Sequence, residues 1–282
     1  MESNTLENFN RWLNSEKVSK EDKEALLKMD DETKDEAFFK NIEFGTGGLR
    51  GILGPGTNRM NYFTVKKVTV ALGLYLKQFH QHAREKGVAI SHDNRHFSRE
   101  FALECSDILN EMGIKTYLFD SLRPTPELSY AVRYKKCDAG IMITASHNSK
   151  NYNGYKVYDE TGCQMVPQKI EPLIKIINSL PNELEVEVPH DKVRGDQVIL
   201  EKEVDDTYVA LCESIQENKD LDKKGFKIVY TPNHGTSYVN AMRVFKDCGY
   251  EVYPVLSQCK PDPDFSGTLS PNPEDPRSFI EP

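Results

Sequence analysis

The fold is decided by residues 140–166, G-I-M-I-T-A-S-H-N-S-K-N-Y-N-G-Y-K-V-Y-D-E-T-G-C-Q-M-V. The stretch begins with a short apolar run at 140–143, which predicts a strand that is buried on both faces. Small and polar residues follow this run at once, among them Ser146, His147 and Asn148. Ligands of open α/β sheets bind just beyond the carboxyl ends of strands. The pattern therefore places these three residues where chemistry is expected.

The second half of the stretch predicts a hairpin. Asn153-Gly154 is a turn signal, and the segments 155–158 and 163–166 flank a second turn at 159–162. Lys156 lies near the start of this predicted hairpin. The sequence thus predicts that a lysine joins the serine, the histidine and the asparagine at one edge of a sheet.

Composition excludes several classes of protein. The chain has 282 residues, 38% hydrophobic and 28% charged, which is typical of a globular protein of about two domains. Its net charge of −8 argues against nucleic acid as a partner. We expect a cytoplasmic protein without a membrane partner, because no apolar run approaches the length of a membrane span and the start lacks signal-peptide features. The six cysteines are scattered, which predicts reduced, mostly buried thiols and no zinc site.

The first part of the chain predicts a helical arm, residues 1–42, packed on the main body. An amphipathic stripe that includes Trp12 predicts the first helix. Ser19 and Asp22 have the spacing of a capping box that begins a second helix. Asp31 is expected to begin a third.

A glycine-rich segment follows at 43–59, with six glycines between Gly45 and Gly56. Such a segment is not expected to form regular structure, but its N–H groups can approach an anion closely. It also carries Arg50 and Arg59. It lacks the Gly-Lys-Ser/Thr ending of a P-loop, and no strand precedes it as in a dinucleotide fingerprint. On composition alone, a flexible loop and a phosphate-binding loop are both open.

The chain then alternates between predicted helices and strands, which indicates parallel βαβ units. A strand at 88–90 leads into His92-Asp93-Asn94-Arg95, and another predicted strand leads into Ser146. Both strands should end at the same edge of the sheet, so Asp93 and Arg95 are expected within reach of Ser146. An ordinary surface ion pair between Asp93 and Arg95 is the alternative.

A charged, mixed segment at 181–203 predicts a domain boundary. We assign residues 43–203 to a first α/β domain and residues 204–282 to a second. The second contains only two predicted strands, and so small a sheet is a poor independent fold. We therefore expect the front part of a longer protein, or a second domain that needs help from elsewhere.

Three motifs carry a resemblance to a known family. T-A-S-H-N at 144–148, followed by N-G-Y-K-V-Y at 153–158, resembles the active-site signature of the α-D-phosphohexomutases, the phosphoglucomutase/phosphomannomutase family. G-T-G-G-L-R-G at 45–51 is similar to the N-terminal Gly-Thr-x-Gly-Leu-Arg segment of that family. P-D-P-D-F at 261–265 and P-N-P-E at 271–274 are similar to a second-domain loop of its longer members, including phosphopentomutase-like ones.

The resemblance implies a fold and a reaction. The fold is a three-layer α/β domain behind a helical N-terminal arm, followed by an incomplete second α/β domain of the same kind. The reaction moves phosphate between the 1- and 6- (or 5-) positions of a sugar phosphate through a phosphoserine and a bisphosphate intermediate. Glucose, mannose and pentose phosphates all stay open as substrates.

The resemblance also implies roles for residues. Ser146 would be the phosphoserine and, through its phosphoryl group, a ligand of Mg²⁺. Lys156 would neutralise charge or act as general acid/base, Arg50 would hold the phosphoserine or the incoming oxygen, and His147 with Asn148 would shape the serine loop. The further residues expected to bind phosphate or substrate are Gly47, Gly48, Asp93, Arg95 and Asn148.

Cofactors and partners follow from the same resemblance. We expect Mg²⁺, a sugar bisphosphate of the glucose 1,6-bisphosphate type as primer, and a sugar phosphate as substrate. The missing C-terminal domains, or another chain, are the expected protein partners.

The chain departs from the family pattern in two ways. Ser149 stands where the family has proline after Ser-His-Asn. The metal loop Asp-x-Asp-x-Asp-Arg is absent, and Asp262-Pro263-Asp264 lacks its third aspartate and its arginine. We therefore expect negligible turnover from this chain alone, and the alternative is a non-catalytic truncated domain that binds a sugar phosphate or a partner. A serine esterase is a third option, disfavoured because the Gly-x-Ser-x-Gly elbow is missing.

Overall fold

The computed structural model describes residues 3–45 and 48–280. Gly47, one of the residues expected to bind phosphate, lies outside these described residues. The strands of the main sheet are β1 (Leu49–Ile52), β2 (Val88–His92), β3 (Thr116–Phe119), β4 (Ala139–Ile143), β5 (Tyr152–Asp159) and β6 (Gln197–Leu200). The helices up to residue 179 are α1 (Ser3–Asn14), α2 (Lys20–Leu27), α3 (Asp31–Phe38), α4 (Tyr62–Phe79), α5 (Ala83–Lys86), α6 (Ser98–Glu111), α7 (Thr125–Tyr134) and α8 (Pro167–Ser179).

The sheet has the order β1-β5-β4-β2-β3-β6 and separates two helical layers. All five residues of β4 are buried, which confirms the predicted double-sided strand. β2 pairs in parallel with β3 and β4, and β3 pairs in parallel with β6, as the βαβ pattern predicted. Apolar side chains of α4, α6 and α8 cover one face, and those of α7 cover the other. The molecule thus has the expected three-layer α/β architecture.

The predicted turn at Asn153-Gly154 is wrong. Both residues lie inside β5, which runs antiparallel to β4 on one side and to β1 on the other. A Cβ on Gly154 would stand 2.6 Å from Thr144 O and 2.8 Å from Leu49 O. The glycine therefore permits a close approach of three strands. The residues at 163–166 pair with β5 only through an isolated bridge between Tyr158 and Gln164.

The glycine-rich segment is also more regular than predicted. Four of its residues form β1, which pairs with β5 in the register Arg50 opposite Gly154. Backbone hydrogen bonds to a neighbouring strand hold this part of the segment in an extended conformation despite its glycine content. Arg50 therefore stands on a strand and not on a flexible loop.

The three predicted helices of the arm are confirmed. They pack around Trp12 and Phe38, whose ring centroids are 6.1 Å apart. Ser19 Oγ accepts from the N–H of Asp22 at 3.0 Å and so caps α2 as expected. The Trp12 indole N–H donates to Glu183 Oε1 at 2.7 Å, which ties the arm to the segment after α8.

The second α/β unit follows β6. Its elements are α9 (Lys202–Ser214), β7 (Lys227–Tyr230), α10 (Tyr238–Asp247) and β8 (Glu251–Pro254), with short 3₁₀ turns at Leu256–Gln258 and Pro276–Phe279. β7 and β8 form a two-stranded parallel sheet. Among the residues that the structure describes, no helix is both long and apolar enough to cross a bilayer.

Candidate active site

Ser146 lies in the serine loop, which we define as residues 144–151 between β4 and β5. It is exposed and has a φ of 58°, in the left-handed region that ordinary residues seldom adopt. Its N–H donates to Thr144 Oγ1 at 2.9 Å, and its hydroxyl is 3.3 Å from Nδ1 of the exposed His147. Such a conformation persists only where the surroundings impose it.

Arg95 holds the serine loop from beneath. One terminal nitrogen of its guanidinium donates to the carbonyl oxygens of Ser146 and Asn148 at 2.9 and 2.6 Å. The other donates to the carbonyl oxygens of Ser149 and Tyr152 at 2.8 and 3.1 Å. These four contacts to main-chain oxygens fix the path of the backbone from the serine to the first residue of β5.

The position of Arg95 corrects our expectation that it binds phosphate. Its side chain has 0% exposure, and its terminal nitrogens are occupied by loop carbonyls. Burial lowers the pKa of the Arg95 guanidinium, and the negative charge of Asp93 opposes this shift. Arg95 therefore acts on the loop and not on a ligand in this structure.

Asp93 is buried beside Arg95, so the alternative of a surface ion pair is wrong. Asp93 Oδ2 accepts from the hydroxyl of Thr144 at 2.6 Å and stands 3.2 Å from Arg95 Nε. Asp93 Oδ1 accepts from the hydroxyl of Ser98 at 2.7 Å and from the N–H of Arg95 at 2.9 Å. Because both oxygens are engaged, Asp93 supports the site and is not placed to bind phosphate or substrate as expected.

Arg50 and Lys156 form a pair of cations next to the serine loop. Arg50 lies opposite Gly154, and Lys156 is two residues further along β5 on the same face of the sheet. Arg50 Nη1 donates to the side-chain oxygen of Asn148 at 3.0 Å. Burial lowers the pKa of the Lys156 amine, the nearby positive charge of Arg50 lowers it further, and Asp93 opposes the shift. The structure thus places Arg50 against Asn148 of the serine loop, and Lys156 close to Arg50 and Asp93.

Gly48 plays a different part from the one expected. Its φ is +96°, and a Cβ there would stand 2.0 Å from Tyr155 O, so only glycine fits against β5. Its N–H donates to Gly45 O at 3.0 Å. The N–H group that was expected to bind phosphate is therefore already used.

His147 does not form a hydrolase triad. Within the part of the chain that the structure describes, no carboxylate hydrogen-bonds to its ring, and its contact is with Ser146 Oγ. The left-handed φ of Ser146 brings the two neighbouring side chains together. Without an orienting acid, this serine and histidine lack the arrangement of an esterase.

Sequence reasoning missed three supporting residues, Thr144, Ser98 and Asn153. The Ser98 hydroxyl accepts from Asn153 Nδ2 at 2.9 Å and donates to Asp93, while Asn153 Oδ1 accepts from the N–H of Gly154 at 2.7 Å. Thr144 stood in the quoted motif, and its supporting role could have been predicted. A hydroxyl two residues before a serine can accept a hydrogen bond from the backbone N–H of that serine. Ser98, the first residue of a helix, gave no such signal.

The expected Mg²⁺ has few ligands in this chain. Among the described residues, no group of three or more His, Cys, Asp or Glu side chains could hold a metal ion. Asp93 has both oxygens engaged, and Asp264 is paired with Lys150 and His96. Mg²⁺ prefers carboxylates together with phosphate oxygens, so these residues do not fit the ion.

Comparisons with known proteins agree with the fold and the motifs. Residues 41–183 match the family model described as phosphoglucomutase/phosphomannomutase, alpha/beta/alpha domain I. Residues 206–282 match the corresponding alpha/beta/alpha domain II. Together, the two matches cover most of the chain.

Individual relatives point the same way. A phosphoglucomutase of Staphylococcus epidermidis is 39% identical over 251 residues, which are 88% of this chain and 45% of that protein. A phosphoglucomutase of Staphylococcus aureus is 37% identical over 246 residues, 86% of this chain and 44% of that protein. The crystal structure of a Thermus thermophilus protein assigned as a phosphomannomutase superposes with a TM-score of 0.70 at 25% identity, covering 85% of this chain and 50% of that one. The chain thus spans about half the length of the relatives it matches.

The sheet order, the serine loop with its cations and both domain matches lead to one conclusion: this chain belongs to the phosphoglucomutase/phosphomannomutase family of isomerases.

Proposed function

We propose that Ser146 carries a phosphoryl group and exchanges it with a sugar phosphate. The observation that supports this most is the position of the exposed hydroxyl, on a loop that Arg95 fixes and that Arg50 contacts through Asn148, with the charge of Lys156 close to that of Arg50. A phosphoryl group carries about −1.5 to −2 charges at neutral pH, so two cations beside the serine favour it. Phosphoryl transfer depends on such positioning and charge neutralisation more than on covalent help from the protein.

The transfer step needs one new bond and one broken bond. A hydroxyl oxygen of the sugar phosphate forms a bond to phosphorus, and the bond between phosphorus and Ser146 Oγ breaks. The proton that the sugar hydroxyl loses ends on Ser146 Oγ, with Lys156 as its carrier. A lowered pKa suits Lys156 to this role, because it reduces the cost of losing the proton and taking it back. Return of the other phosphate from the bisphosphate to Ser146 completes movement between the 1- and 6- (or 5-) positions.

The remaining site residues have supporting roles in this proposal. Arg50 neutralises charge on the transferred group, and Asn148 orients Arg50 through its side-chain oxygen. His147 contacts Ser146 Oγ and limits where the hydroxyl turns. Gly47 remains a proposed phosphate contact. We route no step through Mg²⁺, because the carboxylates of this chain do not fit it.

The proposed partners follow from the same chemistry. The substrate is a sugar phosphate of the glucose, mannose or pentose series, and a sugar bisphosphate loads the serine. Neither nucleic acid nor a membrane takes part, and C-terminal domains or another chain supply the rest of the sugar site. We place the reaction in the cytoplasm, where the six free cysteines would stay reduced.

Intact-mass and phosphopeptide analysis tests the proposal. The chain is incubated with glucose 1,6-bisphosphate and Mg²⁺, and we expect one phosphoryl group on Ser146. Ser146→Ala should abolish uptake, whereas Ser149→Ala, which removes a neighbouring hydroxyl of the same loop, should retain it.

Two other outcomes would overturn the proposal. Binding of the bisphosphate without any transfer, at equal affinity in wild type and Ser146→Ala, would favour the non-catalytic domain. Labelling of Ser146 by a fluorophosphonate probe would favour the esterase. Conversion of glucose 1-phosphate to glucose 6-phosphate by this chain is expected to be negligible even if Ser146 is loaded.

A further inference from the structure

A segment of the second α/β unit lies against the support of the serine loop. We call residues 260–267 the clasp. Within it, Asp262 O accepts from the side chain of Asn94 at 2.8 Å, and Asp264 Oδ1 accepts from Lys150 Nζ at 3.1 Å. The ring of Phe265 lies 5.2 Å from the guanidinium carbon of Arg95. The clasp therefore contacts both the serine loop and the residue that holds it.

The clasp is itself held in place. His234 is 3% exposed, its Nδ1 lies 2.9 Å from Lys260 O, and its Nε2 accepts from the N–H of Gly267 at 2.9 Å. One buried ring thus joins the two ends of the segment. Inside it, the carboxylate of Asp262 accepts from the N–H groups of Asp264 and Ser266, both at 2.9 Å. The position of Phe265 is consequently defined by the second unit.

Phe265 and the carbonyl oxygens of the serine loop use different parts of Arg95. The four hydrogen bonds to the loop leave from the terminal nitrogens in the plane of the guanidinium, where its donors lie. An aromatic ring is attracted to the cation without using a donor. Phe265 is 7% exposed, so it replaces water beside the guanidinium. Excluding water strengthens the electrostatic contact between Arg95 and the loop carbonyls.

We propose that Phe265 is a positioning residue for Ser146 and acts through Arg95. This inference rests on the proposed function, in which Ser146 carries the phosphoryl group. Phe265 contacts no reacting atom. It excludes water from the guanidinium of Arg95 and keeps that group aligned with the loop carbonyls. Arg95 in turn keeps Ser146 in its left-handed conformation. The second α/β unit then contributes to phosphoryl transfer through the clasp.

Hydrogen exchange of the unphosphorylated chain tests the positioning without requiring any catalysis. In Phe265→Leu, which keeps an apolar side chain but removes the ring, amides at 145–152 should exchange about tenfold faster, because the loop loses its support. Phe265→Tyr keeps the ring and should exchange like wild type. Phe245→Leu is the matched control, since Phe245 packs on Tyr230 and Tyr250 in the same unit and lies outside the clasp.

The second readout is loading of Ser146 from glucose 1,6-bisphosphate. In Phe265→Leu the rate should fall about tenfold, because a displaced nucleophile reacts slowly. The bisphosphate concentration for half-maximal rate should stay within about twofold of wild type, since Phe265 does not touch substrate. If Phe265 only stabilised the fold, Phe265→Leu would lower the urea midpoint, but the loading rate would not fall at an unchanged half-maximal bisphosphate concentration.

The two readouts separate the inference from the proposed function. Unchanged exchange at 145–152 in Phe265→Leu, or an equal rise in Phe245→Leu, overturns the role of Phe265. If no variant, wild type included, takes up phosphate, the proposed function fails while the exchange data still decide whether Phe265 positions the loop.

Discussion

Glu127 on α7 and Asn240 on α10 are joined by a 2.7 Å hydrogen bond that links the two α/β units. Asn240 donates to Glu127 Oε2, and the Glu127 side chain is fully buried. Burial raises the pKa of Glu127 to about 8, and the nearby Asp205 carboxylate raises it as well. The charge of Arg123, which forms two hydrogen bonds of 2.7 and 2.8 Å with Asp205, opposes the shift. At neutral pH, Glu127 is therefore mainly a neutral acid that can share its proton with Asp205.

This pair predicts that the folded chain loses stability as pH rises from near 4.5 to about 8, and that the loss levels off above that pH. Glu127 has a raised pKa in the folded state, so its contribution is complete below the unfolded value near 4.5 and is lost as pH rises through about 8. The slope for one proton is at most about 1.4 kcal/mol per pH unit. Urea unfolding at pH 6, 7, 8 and 9 measures it. Glu127→Gln should flatten the slope, because an amide imitates the neutral acid.

The matched control for this prediction is Glu171→Gln on the exposed face of α8. Its urea midpoints should follow those of wild type at every pH. Arg243, which pairs with Asp206 on the neighbouring helix, also faces this region. Parallel curves for wild type and Glu127→Gln would refute the assignment of the slope to Glu127.

Asp93→Asn should destabilise the chain by about 3–5 kcal/mol, because it leaves the buried guanidinium of Arg95 without its counter-charge. The free energy of unfolding in urea measures the effect. Asp31→Asn is the control, since Asp31 forms an exposed ion pair with Lys34, and exposed pairs contribute about 0–1 kcal/mol. Equal losses in the two variants would contradict the buried role of Asp93.

Gly154→Ala should lower stability by about 1–3 kcal/mol, because the added methyl group would press on the carbonyl oxygens of Thr144 and Leu49. Gly45→Ala is the control, as the nearest atom to its new Cβ would be 4.0 Å away. Thermal unfolding compares the two. A Gly154→Ala variant as stable as Gly45→Ala would show that β5 can move aside without cost.

Cys163 should react first with a thiol reagent. It is exposed, whereas burial raises the pKa of both Cys105 and Cys137 to about 12 and so suppresses their thiolates. With a chromogenic disulfide in excess, we expect a fast phase of one thiol per chain. Cys163→Ser should remove that phase. A fast phase that persists in this variant would place another thiol at the surface.

Short sequence patterns correctly predicted the elements whose formation depends on residues close together in the chain. The apolar run at 140–143 predicted β4, and the polar residues after β2 and β4 correctly predicted that Asp93, Arg95 and Ser146 meet at one edge of the sheet. Each of these inferences needs only periodicity and the parallel direction of strands. The prediction of a turn at Asn153-Gly154 was wrong because this dipeptide occurs both in turns and at close contacts between strands. Only tertiary packing decides between the two.

The functions of individual side chains were harder to predict. Arg95 was expected to face a ligand, since a sequence does not show whether an arginine ends in solvent or against carbonyl oxygens. The role of Glu127 was missed, and so was that of Phe265, although Phe265 ends the quoted P-D-P-D-F motif. Their partners, Asn240 and Arg95, lie more than a hundred residues away in the chain, and no short motif connects such positions.

The contacts of Arg95 also bear on how freely the serine loop can vary in sequence. Arg95 recognises the loop through main-chain oxygens alone, and every amino acid supplies one, proline included. Ser149, where the resemblance in the sequence leads us to expect proline, offers Arg95 the same carbonyl at 2.8 Å. A change of side chain at position 149 therefore leaves the grip of Arg95 on the backbone that presents Ser146 intact, as long as the path of the main chain is kept.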